Sequence, residues 1–442
     1  MSRTWHAEWA LVGGAVEPDC LLEVQGDRFT AVLPGVPRPA GAERRVGLTL
    51  PGFANTHSHA FHRALRGRTE TGRGTFWTWR EQMYRLAATL TPDRYLALAR
   101  ATFAEMALAG MTCVGEFHYL HHDPDGRRYA NRNEMGEALL QAAAEAGIRI
   151  TLLDTCYLAG GFDRPVEGAQ RRFTDGDAER WASRVEDLRP AAHARVGAAV
   201  HSVRAVPADQ IGTVAGWARD RRAPLHAHLS EQRAENEDCE RACGCSPARL
   251  LADRGALGER STVVHATHLS AADVALLGAS RTTACLCPTT ERELADGIGP
   301  AGALQEAGCP LALGSDGHFV IDPFEEARAL ELDERLRTEQ RGHWTVAELL
   351  CFAGESGHAA LGWEEAGRLA PGCLADLVTI RLDRPRLAGV PPEAALFAAT
   401  AGDVTDVVAG GREIVRDGWH TLLPDAGRAL AAAVAGAWED AS

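Results

Sequence analysis

The stretch GLTLPGFANTHSH, residues 47–59, begins as an apolar strand and ends in polar residues. Before it, short apolar runs at residues 21–24 and 29–33 flank a Gly-Asp turn, a pattern typical of β-hairpins. After it, apolar strands alternate with stretches of helical periodicity. The character of the chain therefore changes near residue 50.

Strands and helices alternate through the middle of the chain. Helices are predicted at residues 92–110, 133–146 and 208–219, where apolar residues recur at helical spacing. This alternation is typical of parallel βαβ units. Eight such units over about 300 residues suit a (β/α)8 barrel, whose usual length is about 250 residues plus insertions. The predicted barrel strands are residues 47–57, 111–117, 148–153, 196–201, 223–229, 262–266, 283–287 and 310–314.

Short strands return after residue 366, at residues 375–380, 404–409 and 413–416, and an Ala-rich stretch at 429–437 predicts a terminal helix. The β segments at the two chain ends could pair in one sheet. We therefore predict an α/β protein, a (β/α)8 TIM-type barrel with a small β-sandwich domain built from both chain ends. The predicted domains are residues 1–49 (N-terminal part of the sandwich), 50–366 (barrel) and 367–442 (C-terminal part of the sandwich with the terminal helix).

The composition excludes several classes of protein. With 442 residues, 45% of them hydrophobic and 24% charged, the chain is typical of globular proteins and not of disordered or fibrous ones. A net charge of −14 opposes binding to nucleic acid and to anionic membranes. No run approaches the roughly 18 apolar residues of a membrane span. All 46 basic residues are arginine, so the chain has no lysine.

The cysteines indicate a reducing compartment. Eleven is an odd number, which excludes a complete disulfide framework, and the first residues lack the apolar core of a signal peptide. We therefore expect free thiols and a cytoplasmic location. Cys239, Cys243 and Cys245 form the tightest group, but they lack the paired C-x-x-C spacing of structural zinc sites. A role for this group in metal binding stays open.

Histidines and acids follow three predicted strands at the end where barrel enzymes place their sites. His57 and His59 are two residues apart in an extended segment, so their side chains project the same way. His228 and Glu231 end the fifth strand, and Asp316 follows the eighth. Each motif alone is weak, and two unrelated surface histidines are the plain alternative for the first. Together they predict a metal site of His57, His59, His228 and Asp316.

The ligand types suggest which metal binds and what it does. Imidazoles and a carboxylate without a thiolate suit Zn²⁺, with Fe²⁺ as the alternative. One Zn²⁺ per subunit with an open position for water would be catalytic, because the cation lowers the pKa of water to about 7. Glu231 would lie near that water. His265, at the end of the sixth strand, would stabilise charge that develops at the attacked centre.

The order His57-x-His59, His228-x-x-Glu231, His265, Asp316 resembles that of the amidohydrolase superfamily. The flanking β segments and the phrase GCLADL at residues 372–377 also resemble its sandwich domain. Many members bridge two metals with a carboxylated lysine. Because this chain has no lysine, the resemblance implies a mononuclear, deaminase-like member.

Longer phrases resemble the formimidoylglutamate deiminases more closely. The resemblance implies zinc-dependent hydrolytic deimination of N-formimidoyl-L-glutamate to N-formyl-L-glutamate and ammonia in histidine degradation, by a homodimer. It also implies that Glu231 exchanges protons with water and the leaving nitrogen, and that Asp316 takes the remaining proton. The phrases are FANTHSHAF (53–61), FWTWRE (76–81), GEFHYLH (115–121), HSVR (201–204) and CPTTE (287–291).

A dicarboxylate substrate needs positive groups in so acidic a protein. Arg80 and Arg204 follow predicted strands on the active-site side, and each guanidinium could bind one carboxylate. The plain alternative for each is a solvated surface arginine. His62 stands where many members of the family carry Gln, and we expect it still to offer a ring nitrogen to the substrate. The predicted catalytic residues are Glu231, His265 and Asp316, and the predicted substrate-binding residues are His62, Arg80, Tyr119, His201 and Arg204.

Two other functions remain open. An aromatic-amine deaminase of the guanine or adenosine type would use the same metal core, with an apolar stacking pocket instead of paired arginines. A non-catalytic barrel would use its histidines to sense a metal or a ligand. Retention of both Glu231 and Asp316 speaks against the sensor.

Overall fold

Two sheets contain every strand of residues 2–69, 73–74 and 76–439, which this computed structural model describes. In chain order the strands are β1 (Ser2–Val12), β2 (Ala15–Gln25), β3 (Arg28–Leu33), β4 (Glu43–Pro51), β5 (Phe53–Ser58), β6 (Met111–His118), β7 (Arg149–Cys156), β8 (Ala194–Val200), β9 (Leu225–Leu229), β10 (Ser261–His265), β11 (Thr283–Leu286), β12 (Leu311–Leu313), β13 (Leu377–Ile380), β14 (Val404–Ala409), β15 (Arg412–Arg416) and β16 (Trp419–His420).

Strands β5 to β12 form the barrel. Every neighbouring pair is parallel, and the order follows the chain. The last strand returns to the first: the Asp316 N–H donates to the His57 carbonyl at 3.0 Å, and the His59 N–H donates to the Asp316 carbonyl at 3.3 Å. The barrel therefore closes beside the residues predicted to bind metal.

The predicted first strand, residues 47–57, is wrong as a single element. β4 ends at Pro51 and β5 begins at Phe53, with Gly52 between them. A Cβ at Gly52 would lie 2.5 Å from Thr112 Oγ1, so the close approach of the two segments requires glycine. The apolar run shows no sign in the sequence that its two halves join different sheets.

The other sheet joins both ends of the chain, in the order β16-β15-β14-β13-β4-β1-β2-β3. β4 pairs in parallel with β1 and antiparallel with β13, so the terminal segments meet at this strand. The core of this sheet includes Leu22, Phe29, Leu377 and Val408, which are at most 1% exposed. Burying each contributes about 1.5–3 kcal/mol. The predicted fold class is confirmed.

The helices follow the predicted alternation. The Thr91 hydroxyl caps α2 by accepting a hydrogen bond from the Arg94 N–H, and Gly147 ends α3 in a left-handed conformation with φ 78°. In the described part of the chain no helix has the length and apolar character needed to cross a bilayer. The described helices are α1 (Phe76–Ala87), α2 (Pro92–Leu108), α3 (Glu134–Ala146), α4 (Ala178–Val185), α5 (Ala208–Arg221), α6 (Arg233–Cys243), α7 (Pro247–Asp253), α8 (Ala271–Ala279), α9 (Pro288–Glu293), α10 (Ala301–Glu306), α11 (Pro323–Thr338), α12 (Val346–Ala353), α13 (Glu355–Ala360) and α14 (Ala426–Trp438).

Candidate active site

The four predicted metal ligands meet at the carboxyl end of the barrel. His57 Nε2 and His59 Nε2 each lie 3.4 Å from Asp316 Oδ1. His228, on β9, brings its Nε2 to 3.1 Å from His57 Nε2. All four side chains are buried. His57 Nε2 is therefore close to both Asp316 and His228, and all four side chains lie at the same end of the barrel.

Hydrogen bonds on the outer ring nitrogens turn the lone pairs of two imidazoles inward. His59 Nδ1–H donates to the Phe117 carbonyl at 3.0 Å, and His228 Nδ1–H donates to the His201 carbonyl at 2.8 Å. Each Nε2 is thereby left as an acceptor, the form that a metal requires. Burial lowers the pKa of His57 and of His228, and burial together with His57 lowers the pKa of His59 to about 3. The donor set therefore fits a divalent cation.

Unusual backbone conformations hold two of the site residues. Asp316 has φ 41° and His265 has φ 69°, in the left-handed region that residues other than glycine seldom adopt. The two barrel-closing hydrogen bonds fix the Asp316 backbone in place. Burial alone would raise the pKa of Asp316, but its hydrogen bond with His57 and the nearby His265 hold that pKa below the usual range. The Asp316 carboxyl group is therefore ionised.

Glu231 and His265 face each other beside the four ligands. His265 Nε2 lies 3.9 Å from Glu231 Oε1 and 3.8 Å from Asp316 Oδ2. Burial raises the pKa of Glu231, although His265 and Arg204 partly oppose the rise. Burial alone would lower the pKa of His265, but the carboxyl groups of Glu231, Glu291 and Asp316 outweigh it and raise that pKa. A carboxyl group of raised pKa beside an imidazole suits proton transfer near neutral pH.

Glu291 orients His265, a role that the sequence reasoning missed. Its Oε1 lies 3.4 Å from His265 Nδ1 and accepts a hydrogen bond from the Cys287 N–H at 2.8 Å. This contact directs the Nε2 of His265 toward Glu231 and Asp316. The CPTTE phrase, which ends at Glu291, was the available signal.

Glu235 fixes Arg204 and was also missed. Arg204 Nε donates to Glu235 Oε2 at 2.6 Å, and the Ser230 N–H donates to Glu235 Oε1 at 2.8 Å. Arg204 Nη2 lies 4.0 Å from Glu231 Oε2. The guanidinium is thus held through its Nε edge, next to the predicted proton-transfer residue. The position of Glu235 in the first turn of α6, four residues after Glu231, was the only signal in the sequence.

A cavity of about 70 Å³ is lined by all the predicted substrate-binding residues and by the predicted catalytic residues. They are His62, Arg80, Tyr119, His201 and Arg204, together with Glu231, His265 and Asp316. An outer cavity of about 330 Å³ shares part of this lining and adds further arginines. The structure therefore brings together all the predicted substrate-binding side chains. Aromatic side chains that the sequence reasoning did not single out also line the inner cavity, namely Trp79, Tyr84, Tyr157 and Phe173.

Arg80 reaches this cavity from α1, the helix that follows the first barrel strand β5. It lies in the first half of α1, and its guanidinium carbon is 5.6 Å from the centre of the Tyr84 ring. The side chains of Phe76 and Trp77, which begin the same tryptophan-rich phrase, lie outside the described residues.

His62 contacts the predicted substrate residue Tyr119. Its Nε2 lies 3.2 Å from the Tyr119 hydroxyl, and burial lowers the pKa of His62 well below its usual value. A neutral ring can donate its Nε2–H to the phenol oxygen, which leaves the Tyr119 O–H free to donate elsewhere. The geometry thus gives His62 a contact through which it can orient Tyr119.

Cys239, Cys243 and Cys245, the tightest cysteine group in the sequence, differ in exposure. Cys239 is buried, Cys245 is half-buried and Cys243 is exposed. The described clusters of metal-ligating atoms include none of these three residues.

Comparisons with known proteins agree with this architecture. The model of the amidohydrolase family matches residues 48–414. A formimidoylglutamate deiminase of Pseudomonas aeruginosa is 38% identical over 431 residues, covering 94% of this chain and 95% of its own. An 8-oxoguanine deaminase of the same organism is 30% identical over 435 residues, covering 95% of each chain. The crystal structure of an amidohydrolase from Brucella melitensis matches with a TM-score of 0.90 at 34% identity, covering 98% of this chain and 99% of its own.

Proposed function

Since this chain belongs to the amidohydrolase family and hydrolyses carbon–nitrogen bonds, we propose that it converts N-formimidoyl-L-glutamate and water into N-formyl-L-glutamate and ammonia. The observation that carries this proposal is the pair Arg80 and Arg204 in the same cavity as Glu231. A guanidinium binds a carboxylate through two parallel hydrogen bonds, so two arginines suit a dicarboxylate. The similar protein from P. aeruginosa is named for this activity.

The proposed metal is one Zn²⁺ held by His57, His59, His228 and Asp316, with Fe²⁺ as the alternative. Members of this family are typically metal-dependent, and the inward-facing imidazole nitrogens support the same conclusion here. When bound, the cation supplies Lewis-acid activation of water at neutral pH.

Protein side chains perform the proton transfers in the proposed reaction. Glu231 takes a proton from the attacking water and later delivers it to the terminal nitrogen of the amidine, general base and then general acid. Asp316 accepts the second proton as the water oxygen becomes the formyl oxygen, and this proton passes to the departing nitrogen, so that both protons of the water leave with ammonia. His265, held by Glu291, donates a hydrogen bond to the tetrahedral centre. The bond between carbon and the terminal nitrogen breaks, and ammonia leaves.

The glutamate portion of the substrate is bound by the arginines and their neighbours. Arg204, held by Glu235, takes one carboxylate, and Arg80 takes the other. Tyr119, oriented by His62, and His201 donate further hydrogen bonds. Strong fields from these groups allow a dianion to enter a protein of net charge −14.

A second candidate is deamination of an aromatic amine. The tyrosines, Phe173 and Trp79 in the inner cavity offer stacking surfaces, and one similar protein is an 8-oxoguanine deaminase. An aromatic base, however, offers no carboxylate to Arg80 and Arg204, whereas a dicarboxylate offers one to each. The dicarboxylate substrate is therefore the better match to the cavity.

Ammonia release on a substrate panel tests the proposal. Protein of measured metal content is assayed with N-formimidoyl-L-glutamate, guanine, adenosine derivatives and cytosine. Turnover of the amidine that exceeds the others by orders of magnitude is expected. A preference for an aromatic base would replace the proposal with the second candidate, and no turnover in a zinc-replete sample would favour the sensor.

We further propose that the enzyme acts in histidine degradation as a cytoplasmic homodimer. The substrate is the expected connection to histidine degradation, and the eleven free cysteines are compatible with a reducing compartment. Exposed apolar side chains on α11, Leu332 at 41% and Leu336 at 75%, are candidates for the dimer contact.

A further inference from the structure

A buried thiol lies beside the catalytic centre and has no part in the proposed reaction. Cys287 follows β11 directly and is 0% exposed. A ring nitrogen of His265, the Cys287 sulfur and a carboxylate oxygen of Asp316 all lie within 4.8 Å of one another. Nitrogen, sulfur and oxygen donors at this spacing are a ligand set for a soft divalent metal.

This set adjoins the first metal site through Asp316. Asp316 Oδ1 faces His57 and His59 at 3.4 Å, whereas Oδ2 faces His265 Nε2 at 3.8 Å. Glu231 Oε1 lies 3.9 Å from the same His265 nitrogen and could become a fourth ligand. A single carboxylate can thus serve two ions, as in sites where two metals lie about 3.5–4 Å apart.

We propose that His265, Cys287 and Asp316 form a second metal site, which excess Zn²⁺ or Cd²⁺ occupies to inhibit the enzyme. The Cys287 thiol loses its proton to solvent when the ion binds, so that thiolate and carboxylate balance the two positive charges. A carboxylated lysine cannot form in this chain, which has no lysine, and the thiol supplies a different route to a second ion.

Occupation of this site removes groups that the reaction needs. An ion bound at His265 Nε2, the ring nitrogen 3.8 Å from Asp316 Oδ2, prevents this nitrogen from donating to the tetrahedral centre. It also attracts the Glu231 carboxylate away from proton transfer. The inhibition part of this inference rests on the proposed function, whereas the binding of the second ion does not.

The test uses the full-length protein and three readouts. These are the metal-to-protein ratio after equilibration with excess Zn²⁺, the thiolate-to-metal absorption on adding Cd²⁺, and the initial rate as free Zn²⁺ rises. Cys287→Ala removes the thiol, and Cys287→Ser keeps the side-chain volume if the smaller residue destabilises the protein. Cys113→Ala is the matched control, because Cys113 is equally buried on the barrel strand β6 but outside the ligand set.

For the unaltered protein we expect one more Zn²⁺ than for Cys287→Ala or Cys287→Ser. We also expect a stronger thiolate absorption with Cd²⁺ and a rate that falls at least about tenfold, a difference of about 1.4 kcal/mol. Both Cys287 variants should match the rate of the unaltered protein at one equivalent of metal and should resist inhibition by excess metal, and Cys113→Ala should behave like the unaltered protein. An equal metal ratio and equal Cd²⁺ absorption with and without Cys287 would overturn the proposal. If formimidoylglutamate is not a substrate, the metal-to-protein ratio and the thiolate-to-metal absorption with Cd²⁺ still decide whether the second site exists.

Discussion

Glu231→Gln tests proton transfer at the level of one carboxyl group. Gln keeps the size of the side chain but cannot accept the proton of the attacking water. We expect kcat to fall by about 10²–10⁴-fold, the usual contribution of a general acid–base group. Metal content, measured on the same sample, should not change, because the four ligands are untouched. Near-normal turnover would remove Glu231 from the mechanism.

Arg204→Met tests carboxylate recognition. Loss of a charge-assisted hydrogen bond costs about 1.5–3 kcal/mol, which is about 10–100-fold in kcat/KM for the dicarboxylate. Glu235→Gln, which weakens the hydrogen bond from Arg204 Nε, should give a smaller loss of kcat/KM that appears mainly in KM. In Arg204→Met the Glu235 substitution should have little further effect, because the two residues act through one contact. Unchanged preference for dicarboxylates in Arg204→Met would assign the carboxylate to another group.

Sequence reasoning predicted residues that lie together at the carboxyl end of the barrel, but it did not predict the residues that orient Arg204 and His265. His57, His59, His228 and Asp316 could be predicted because parallel strands place their carboxyl ends together, whatever the loops between them do. Glu235 and Glu291 could not, since their roles depend on the directions of α6 and α9 relative to the strands. A carboxylate at the start of a helix is also common for reasons of capping alone.

At the level of secondary-structure elements, the alternation of strands and helices was enough to predict the barrel, but not where its first strand begins. β4 and β5 are one apolar run in the sequence, and they separate at Gly52, where a Cβ would lie 2.5 Å from Thr112 and 3.0 Å from Asp376. Sequence reasoning did not predict α1, whose first residues are rich in aromatic side chains that favour strands.

Gly314→Ala tests the closure of the barrel by its first and last strands. A Cβ at residue 314 would lie 2.8 Å from His57 Cβ and 2.9 Å from His57 N, so β12 must move away from β5. Such overpacking typically costs about 1–3 kcal/mol. Because Asp316 moves with β12 and His57 with β5, we expect weaker metal binding as well as a lower Tm.

The control for this substitution is Gly258→Ala. No atom lies within 4 Å of a Cβ at residue 258, and its backbone does not require a positive φ. This variant should keep its metal affinity and its Tm. Equal metal affinity in Gly314→Ala and Gly258→Ala, measured by competition with a chelator, would show that closure of the barrel does not position the ligands.

For the whole molecule, buried neutral histidines set the limit of stability in acid. His358 is 0% exposed beneath the junction of the two sheets, and its Nε2–H donates to the Gly52 carbonyl at 3.1 Å. Burial, together with Arg149, lowers the pKa of His358 to about 3, and burial lowers the pKa of His226 also to about 3. Each ring therefore stays neutral in the folded protein while it binds a proton in the unfolded chain.

The sign of the pH dependence follows from these lowered values. Stability from His358 is complete above its unfolded pKa of about 6.5 and is lost as the pH falls toward about 3. Between pH 6.5 and 4.5 this single group should cost up to about 2.7 kcal/mol, at about 1.36 kcal/mol for each unit. His358→Gln can keep an N–H donor for the Gly52 carbonyl but binds no proton. Its free energy of unfolding should therefore fall less steeply below pH 6.5.

Urea denaturation of the unaltered protein and of His358→Gln, in the presence of a chelator, measures how the free energy of unfolding changes with pH. The chelator matters because protonation of the metal ligands would otherwise release the ion over the same pH range and add its own loss of stability. At pH 8 the free energy of unfolding of His358→Gln is lower than that of the unaltered protein if the amide fits the site less well than the ring. The test therefore compares how steeply the two free energies change with pH and not their absolute values. Parallel curves from pH 8 to 4.5 would mean that His358 is protonated in the folded state as readily as in the unfolded chain. The acid sensitivity would then have to come from His226 and the other buried rings.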